Sequence, residues 1–159
     1  MGQPLDPATR PSRLRPLTHI AVVTLLSLSF LSGVVIWVGQ SAQARTMETP
    51  AWLPGLLAFH GWLNPFQCAL LGYLCCQHIR IGWQLKANLL TGFSMEFVFA
   101  GLILSGTGLY YAGSADWRST FLWAHRVLGL LLPLSLGTHW IAGWRWAVWA
   151  VSRSSKLKD

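Results

Sequence analysis

Four long apolar segments restrict what this chain can fold into more than any other feature. A helix needs about 20 apolar residues to cross a hydrocarbon core of about 30 Å. Four segments reach that length: about Leu17 to Gly39, Trp52 to about His78, about Leu90 to Ala112, and Phe121 to about Val151. Short connections with turn-forming residues separate them. The sequence therefore predicts an all-α membrane protein, a bundle of four transmembrane helices.

Composition and charge agree with this class. Hydrophobic residues make up 53% of the 159 residues and charged residues only 11%, against about 25% in soluble domains. The net charge of +7 raises nucleic acid as a partner. The basic residues flank the apolar segments instead of forming a stripe with aromatics, so we expect a lipid bilayer as partner and no nucleic acid.

The basic residues also predict the orientation. One side of the predicted membrane receives Arg10, Arg13, Arg15, Arg80, Lys86, Arg145, Arg153, Lys156 and Lys158; the other receives Arg45, Arg118 and Arg126. Because cytoplasmic loops carry an excess of Lys and Arg, both termini are predicted to be cytoplasmic. The predicted divisions are an N-terminal tail over 1–16, a transmembrane domain over 17–151 and a basic tail over 152–159.

Two other features of the sequence bear on processing and redox chemistry. The first apolar segment is followed by Ala42-Gln43-Ala44, which resembles a signal-peptide cleavage site. Its apolar run exceeds 20 residues, longer than the 7–15 of a signal peptide, so we expect a retained helix. The three cysteines lie in one apolar segment and are interpreted as helix filler, and without a CxxCH motif covalent haem attachment is not expected.

Five histidines, within or beside the apolar segments, are the candidate functional residues: His19, His60, His78, His125 and His139. Ionisable groups inside a membrane are costly and are functional candidates by default. His125 and His139 are 14 residues apart, about 21 Å or nearly four helical turns, so they share one face at two depths. Neutral imidazole is a good axial ligand of haem iron. The pattern predicts two haem b groups.

The partner of each histidine follows from depth. His60 and His125 both lie in the outer half of the bilayer and can hold one haem between them. For His139 in the inner half, His19 and His78 compete. From His60 to His78 is 18 residues, about 27 Å, against about 21 Å on the fourth helix, whereas His19 lies about 18 Å from the depth of His60. The inner haem is therefore assigned to His19 and His139, with His78 as the reserve ligand.

This histidine pattern resembles that of the four-helix cytochrome b subunits of respiratory complexes. That group includes the gamma subunit of formate dehydrogenase N, the cytochrome b subunits of nickel–iron hydrogenases and the bacterial cytochrome b561 proteins. The resemblance extends from about Arg15 to Trp146 and implies the same ligand pairs, with a location in the bacterial inner membrane. The stretch from His78 to Trp83, with Asn88 and Gly92, resembles the cytoplasmic loop that helps to form the quinone pocket in that group.

Several charged residues are candidates for cofactor binding. Arg126 and Arg118 are predicted to hold the propionates of the outer haem, and Arg80 those of the inner one; ordinary flanking or snorkelling is the alternative. Glu96, the one carboxylate well inside an apolar segment, is a candidate proton relay to a quinone, and a structural glutamate is the alternative.

The leading functional hypothesis is a diheme cytochrome subunit rather than a stand-alone enzyme. It would carry electrons across the membrane between the quinone pool and a periplasmic partner: a dehydrogenase, an iron–sulfur subunit or a c-type cytochrome. The alternatives are a non-redox membrane anchor or assembly subunit and, less favoured, a metal transporter that uses the same histidines.

Overall fold

The computed structural model describes residues 14–86 and 88–156, and this part of the chain is helical with short connections. Four α-helical rods follow one another. Their elements are α1 (Pro16–Thr46), α2 (Leu53–Leu74) with a π-helical turn (Cys75–Ile79) and α3 (Arg80–Gln84) continuing it, α4 (Leu89–Tyr111) and α5 (Ala115–Lys156). The four predicted segments therefore correspond to α1, α2 with the π turn, α4 and α5.

Local residue chemistry sets the helix ends. Pro16 opens α1 at a position where its missing N–H costs nothing. Met47 closes α1 in a left-handed conformation, its N–H donating to the carbonyl of Gln43 at 2.8 Å. Between α3 and α4, Lys86 and Asn88 have φ of 49° and 52°, and asparagine tolerates this region better than most residues. The two left-handed residues let the chain reverse within a short connection, so that α4 runs antiparallel to the rod before it.

Within residues 14–86 and 88–156, three helical stretches are long and apolar enough to cross a membrane, as in multi-pass membrane proteins: Pro16–Thr46, Leu89–Tyr111 and Ala115–Trp146. Helix α2 is not among these stretches, and it carries the polar side chains His60, Asn64 and Gln67. These three side chains form hydrogen bonds with residues of neighbouring rods. The polar groups of α2 therefore face the bundle.

The rods form a four-membered ring of contacts. Helix α1 packs on α2 and α5, and α4 packs on the same two helices, most extensively on α5. Helices α2 and α5 consequently lie across the bundle from each other. They run in the same direction, because the chain reverses twice between them, once before α4 and once after it.

Small residues bring α4 and α5 close together. A Cβ added at Gly108 would lie 2.7 Å from Phe121 Cδ1, and one added at Gly101 would lie 2.8 Å from Leu128 Cδ1. Glycines at such positions let helix backbones approach closely, which is a main source of helix association in membranes.

An apolar core fills the centre of the bundle. All four rods contribute to it: Val22, Leu26, Leu70, Leu74, Val98, Phe99, Leu102 and Leu132. Leu132 is seven residues from each of His125 and His139 along α5. The core thus separates the levels of these two histidines.

Helical structure extends into the predicted C-terminal tail. Helix α5 begins at Ala115 and continues to Lys156, so most of the tail predicted for 152–159 is helical. Most of the predicted tail over 1–16, with Arg10 and Arg13, lies outside the described residues, as do 157–159 with Lys158.

Candidate functional site

Two pairs of histidines face each other across the bundle, each with one ring from the α2 rod and one from α5. The ring centroids of His60 and His125 are 6.0 Å apart, with the ring planes at 88°. The centroids of His78 and His139 are also 6.0 Å apart, again at 88°. Two sites at different depths of the bundle therefore share one geometry.

This separation suits two axial ligands of one metal. With a metal–nitrogen bond of about 2 Å on each side and about 1 Å from each nitrogen to its ring centre, the two centroids lie about 6 Å apart. The same distance also falls within the range of about 4.5–7 Å for edge-to-face aromatic contacts. Ring geometry alone is therefore compatible with both a metal site and plain packing.

The hydrogen bonds of three imidazoles distinguish the two nitrogens of the ring, because they all involve Nδ1. Nδ1 of His60 is 2.7 Å from Ser32 Oγ, Nδ1 of His125 is 3.0 Å from Ser105 Oγ, and Nδ1 of His139 is 3.2 Å from Thr91 Oγ1. In all three cases a hydroxyl on a neighbouring helix meets Nδ1. Metal-bound histidines usually hydrogen-bond through the nitrogen that does not bind the metal, so this arrangement reserves Nε2 for a ligand.

A glycine follows each of these hydroxyl residues and leaves room beside the ring. A Cβ at Gly33 would be 3.4 Å from Cε1 of His60, at Gly106 3.3 Å from Cε1 of His125, and at Gly92 3.9 Å from Cε1 of His139. A Cβ would be tight against the imidazole at Gly106 and in ordinary van der Waals contact with it at Gly33 and Gly92. We call the three dipeptides Ser32-Gly33, Thr91-Gly92 and Ser105-Gly106 the hydroxyl–glycine steps.

The outer pair, His60 and His125, lines a cavity of about 750 Å³, within the range of about 300–1,000 Å³ for cofactor sites. Its wall is mostly apolar and includes Gly33, Gly106 and Gly129. This lining fits a flat apolar group that is held between the imidazole nitrogens of His60 and His125.

Both arginines predicted to serve the outer haem line the same cavity. Arg126 donates from its guanidinium to Gln40 Oε1 at 2.9 Å. Its Cζ lies 5.1 Å from the ring centroid of Trp37 and 5.6 Å from that of Trp123. Aromatic faces and an amide thus hold a permanent cation at the cavity, where it can bind an anionic group.

At the inner site the structure brings together His78 and His139, and not His19 and His139. The ring of His19 lies 5.9 Å from that of Trp140, and both side chains are exposed on the outside of the bundle. Because His19 contacts Trp140, the residue after His139, it lies at the depth of His139, as predicted from the sequence. Its face of α1 does not point to His139, and depth alone could not reveal this. His19 as an iron ligand stays a prediction.

The residues predicted to contact a quinone lie at the same end as the inner pair. Gly92 and Asn88 lie near His139 and Gly143 respectively, and Arg80 is exposed. Glu96 accepts a hydrogen bond from Trp83 Nε1 at 3.2 Å, and the Trp83 ring lies 5.2 Å from that of Phe93. The structural partner of Glu96 is therefore Trp83, a residue of the stretch predicted to form the quinone loop.

Sequence reasoning missed the three hydroxyl residues Ser32, Thr91 and Ser105. A signal for two of them exists: Thr91 and Ser105 are 14 residues apart, the spacing of His125 and His139. On antiparallel neighbouring helices, equal spacings put each hydroxyl opposite one histidine.

Comparison with known proteins gave no assignment: no family model, no curated protein and no solved structure matches the chain. Among the described residues no group of three or more His, Cys, Asp and Glu side chains is positioned to hold a metal ion. A site with two axial protein ligands needs only a pair.

Proposed function

We propose that this chain is a diheme b-type cytochrome of the bacterial inner membrane that carries electrons across the bilayer. Its four rods cross the membrane, with both termini in the cytoplasm. His60 and His125 hold the outer haem, and His78 and His139 hold the inner one. Bound haem supplies a one-electron iron couple at each level.

The observation that carries this proposal is the repeated pair geometry. Two independent pairs have the same centroid distance and the same perpendicular planes. The rings of His60, His125 and His139 each engage Nδ1 with a hydroxyl. A chance contact between two histidines needs none of this repetition, whereas axial coordination at two depths accounts for it.

The hydrogen bonds of the polar side chains of α2 to neighbouring rods support a fourth span. Gln67 is buried and donates to Ser29, and Asn64 donates to Thr107 Oγ1 at 3.1 Å. Polar side chains that bond to neighbouring helices are tolerated in membranes because they do not meet lipid unpaired. Hydropathy alone undervalues such a helix.

The redox partners follow from the two levels. The outer site meets the periplasmic side, where a dehydrogenase, an iron–sulfur subunit or a c-type cytochrome exchanges electrons. The inner site lies at the same end of the bundle as Glu96, Trp83 and Asn88, where a membrane quinone would bind and Glu96 would relay protons. The chain then acts as an electron-transfer subunit of a larger complex.

The test is haem quantification per polypeptide in the purified protein and in five His→Ala variants. We expect two haems in the wild type and a b-type α band after dithionite reduction. His60→Ala and His125→Ala should each remove one haem, the same one, and His78→Ala and His139→Ala should each remove the other. A wild-type sample without the α band would rule out the cytochrome.

The His19→Ala variant tests the inner ligand. It keeps both haems if His78 is the ligand. If instead it loses the inner haem while His78→Ala retains it, the pairing inferred from sequence is correct and the pair seen in the structure is not the one that binds iron.

A non-redox anchor is the second candidate, because the centroid distance also fits edge-to-face packing. In that case the His60→Ala and His125→Ala variants lower stability but no variant changes colour, since the wild type has none.

A further inference from the structure

We propose that the hydroxyls of the three hydroxyl–glycine steps are positioning residues that fix the tautomer and rotation of the iron-binding histidines, and thereby set the reduction potentials of the two haems. Ser32 acts on His60, Ser105 on His125 and Thr91 on His139. This inference rests on the proposed function and extends it to residues that do not touch the haem iron.

Donor accounting determines the direction of each hydrogen bond. Ser32 Oγ is 2.6 Å from the carbonyl of Leu28, and Ser105 Oγ is 2.7 Å from the carbonyl of Gly101. A hydroxyl has one proton, and a carbonyl can only accept. The proton of each serine is therefore used within its own helix, and toward histidine the oxygen acts as an acceptor.

The same accounting applies at the inner site, where Thr91 Oγ1 is 3.2 Å from the carbonyl of Asn88. With the hydroxyl proton assigned in this way, Nδ1–H of each of the three histidines donates to the hydroxyl oxygen. The neutral ring then carries its lone pair on Nε2. Three imidazoles are thus held in the one tautomer that can bind iron through Nε2.

The histidines and their hydroxyl partners lie on different helices. The ligands lie on the α2 rod and α5, which face each other across the bundle, and the hydroxyls lie on α1 and α4, which pack beside them. The glycine after each hydroxyl leaves space beside the ring. Each step therefore both orients an imidazole and accommodates it.

A hydrogen bond from Nδ1–H makes the imidazole a more basic ligand. More basic axial ligands favour ferric over ferrous iron and lower the potential. Loss of the hydroxyl should raise the potential of the haem that its histidine holds. It should also weaken haem binding, since partners of metal ligands typically contribute about 10–100-fold in affinity.

The experiment is a redox titration of the α bands in the full-length holoprotein, with haem-retention measurements, for Ser32→Ala, Ser105→Ala and Thr91→Val. We expect the two serine variants to raise only the outer potential and the threonine variant only the inner one. A tenfold change in the preference for ferric iron corresponds to about 59 mV, and shifts up to this size are expected. Haem retention should fall by about 10–100-fold at the same site.

Matched variants separate the hydrogen bond from packing. Ser32→Thr and Thr91→Ser keep a hydroxyl and should behave as the wild type. Ser41→Ala on α1 removes a hydroxyl that donates to Trp37 and should shift neither potential. If Ser32→Ala does not fold, Ser105→Ala and Thr91→Val apply the same test at the other two histidines.

Two results would overturn the inference. One is unchanged potentials and haem retention in the Ala and Val variants. The other is an equal shift in Ser32→Ala and Ser32→Thr, which would assign the effect to shape. Both require a wild type with two haems, so they differ from the failure of the proposed function, in which the wild type binds none.

Discussion

Arg126 is the residue whose surroundings most directly suggest an anionic group in the outer cavity. Its guanidinium lies over the rings of Trp37 and Trp123 and donates a hydrogen bond to Gln40. A charge-assisted hydrogen bond contributes about 1.5–3 kcal/mol, so we expect Arg126→Gln to weaken retention of the outer haem by about 10–100-fold. The inner haem should be unaffected. Haem titration of the apoprotein, read separately at the two α bands, measures the effect.

The control for this prediction is Arg45→Gln, which removes a positive charge from the exposed last turn of α1. It should leave both affinities unchanged. An equal loss in both variants would indicate that the general positive charge of this end of the bundle matters, and not the cavity site of Arg126.

Gln67 and Ser29 form a buried polar contact between α2 and α1. The amide of Gln67 donates to Ser29 Oγ, whose own proton goes to the carbonyl of Leu25 at 2.8 Å. Hydrogen bonds between membrane helices contribute about 0.6–1.7 kcal/mol. A double-mutant cycle of Gln67→Met and Ser29→Ala should give a coupling free energy of that size, measured by reversible unfolding in detergent.

A second cycle that combines Gln67→Met with Ser41→Ala serves as the reference and should be additive, because Ser41 bonds to Trp37. Additivity in the first cycle as well would mean that the Gln67–Ser29 hydrogen bond contributes nothing to holding α1 on α2.

At the level of single residues, the sequence allowed the histidines to be predicted and not their hydroxyl partners. An intramembrane histidine is conspicuous because burial of an ionisable group is costly. Ser32, Thr91 and Ser105 are ordinary in apolar helices, since a serine or threonine can bond to its own backbone. Their role depends on which helix lies opposite, and only the packing of the rods determines that.

The interface of α4 with α5 depends on glycines at the element scale. A side chain at Gly108 would meet Phe121 at 2.7 Å, and Ser105 lies one turn away on the same helix. We expect Gly108→Leu to force the helices apart, to destabilise the fold by about 1–3 kcal/mol and to reduce retention of the outer haem. Thermal unfolding and haem content measure the two effects.

Gly137→Leu is the matched control, because a Cβ at Gly137 meets no atom within 4 Å. The added side chain should leave stability and haem content unchanged. Equal losses in both variants would show that bulk at any glycine is harmful, and the close approach of α4 and α5 would then not explain the effect.

The second rod shows why the contact between His78 and His139 could not be predicted from axial spacing. Axial spacing from sequence assumed straight α-helices, under which His78 lies about 6 Å too far along the rod. The rod instead contains Pro65 and a π-helical turn over Cys75–Ile79 that includes His78. Proline bends a helix, and a π turn advances less per residue than an α-helix. Hydrogen-bonding patterns of this kind have no clear signature in the residues themselves.

In the whole molecule, the two histidine levels and the core between them form a layered arrangement. The 14 residues between His125 and His139 correspond to about 21 Å along α5. Leu132, Val98 and Phe99 lie between the levels and belong to the apolar core. This apolar layer spaces the two histidine levels along the bundle.

The number of crossings determines on which sides these two levels lie. If all four rods cross, Glu48 and Ser114 are periplasmic and Lys86 is cytoplasmic, in agreement with the positive-inside rule. If α2 does not cross, Lys86 becomes periplasmic and Ser114 cytoplasmic. Single cysteines (E48C, K86C or S114C) in a variant with the native cysteines replaced by alanine report these positions.

We expect a membrane-impermeant maleimide to label E48C and S114C in spheroplasts, and K86C only after permeabilisation. A C-terminal reporter on the full-length chain should be active only in its cytoplasmic form. Labelling of K86C without S114C, together with a periplasmic C-terminus, would indicate three crossings. The polar residues of α2 would then face water at the membrane surface, and the His60–His125 pair could not lie inside the bilayer, so this measurement tests the fold and the electron path together.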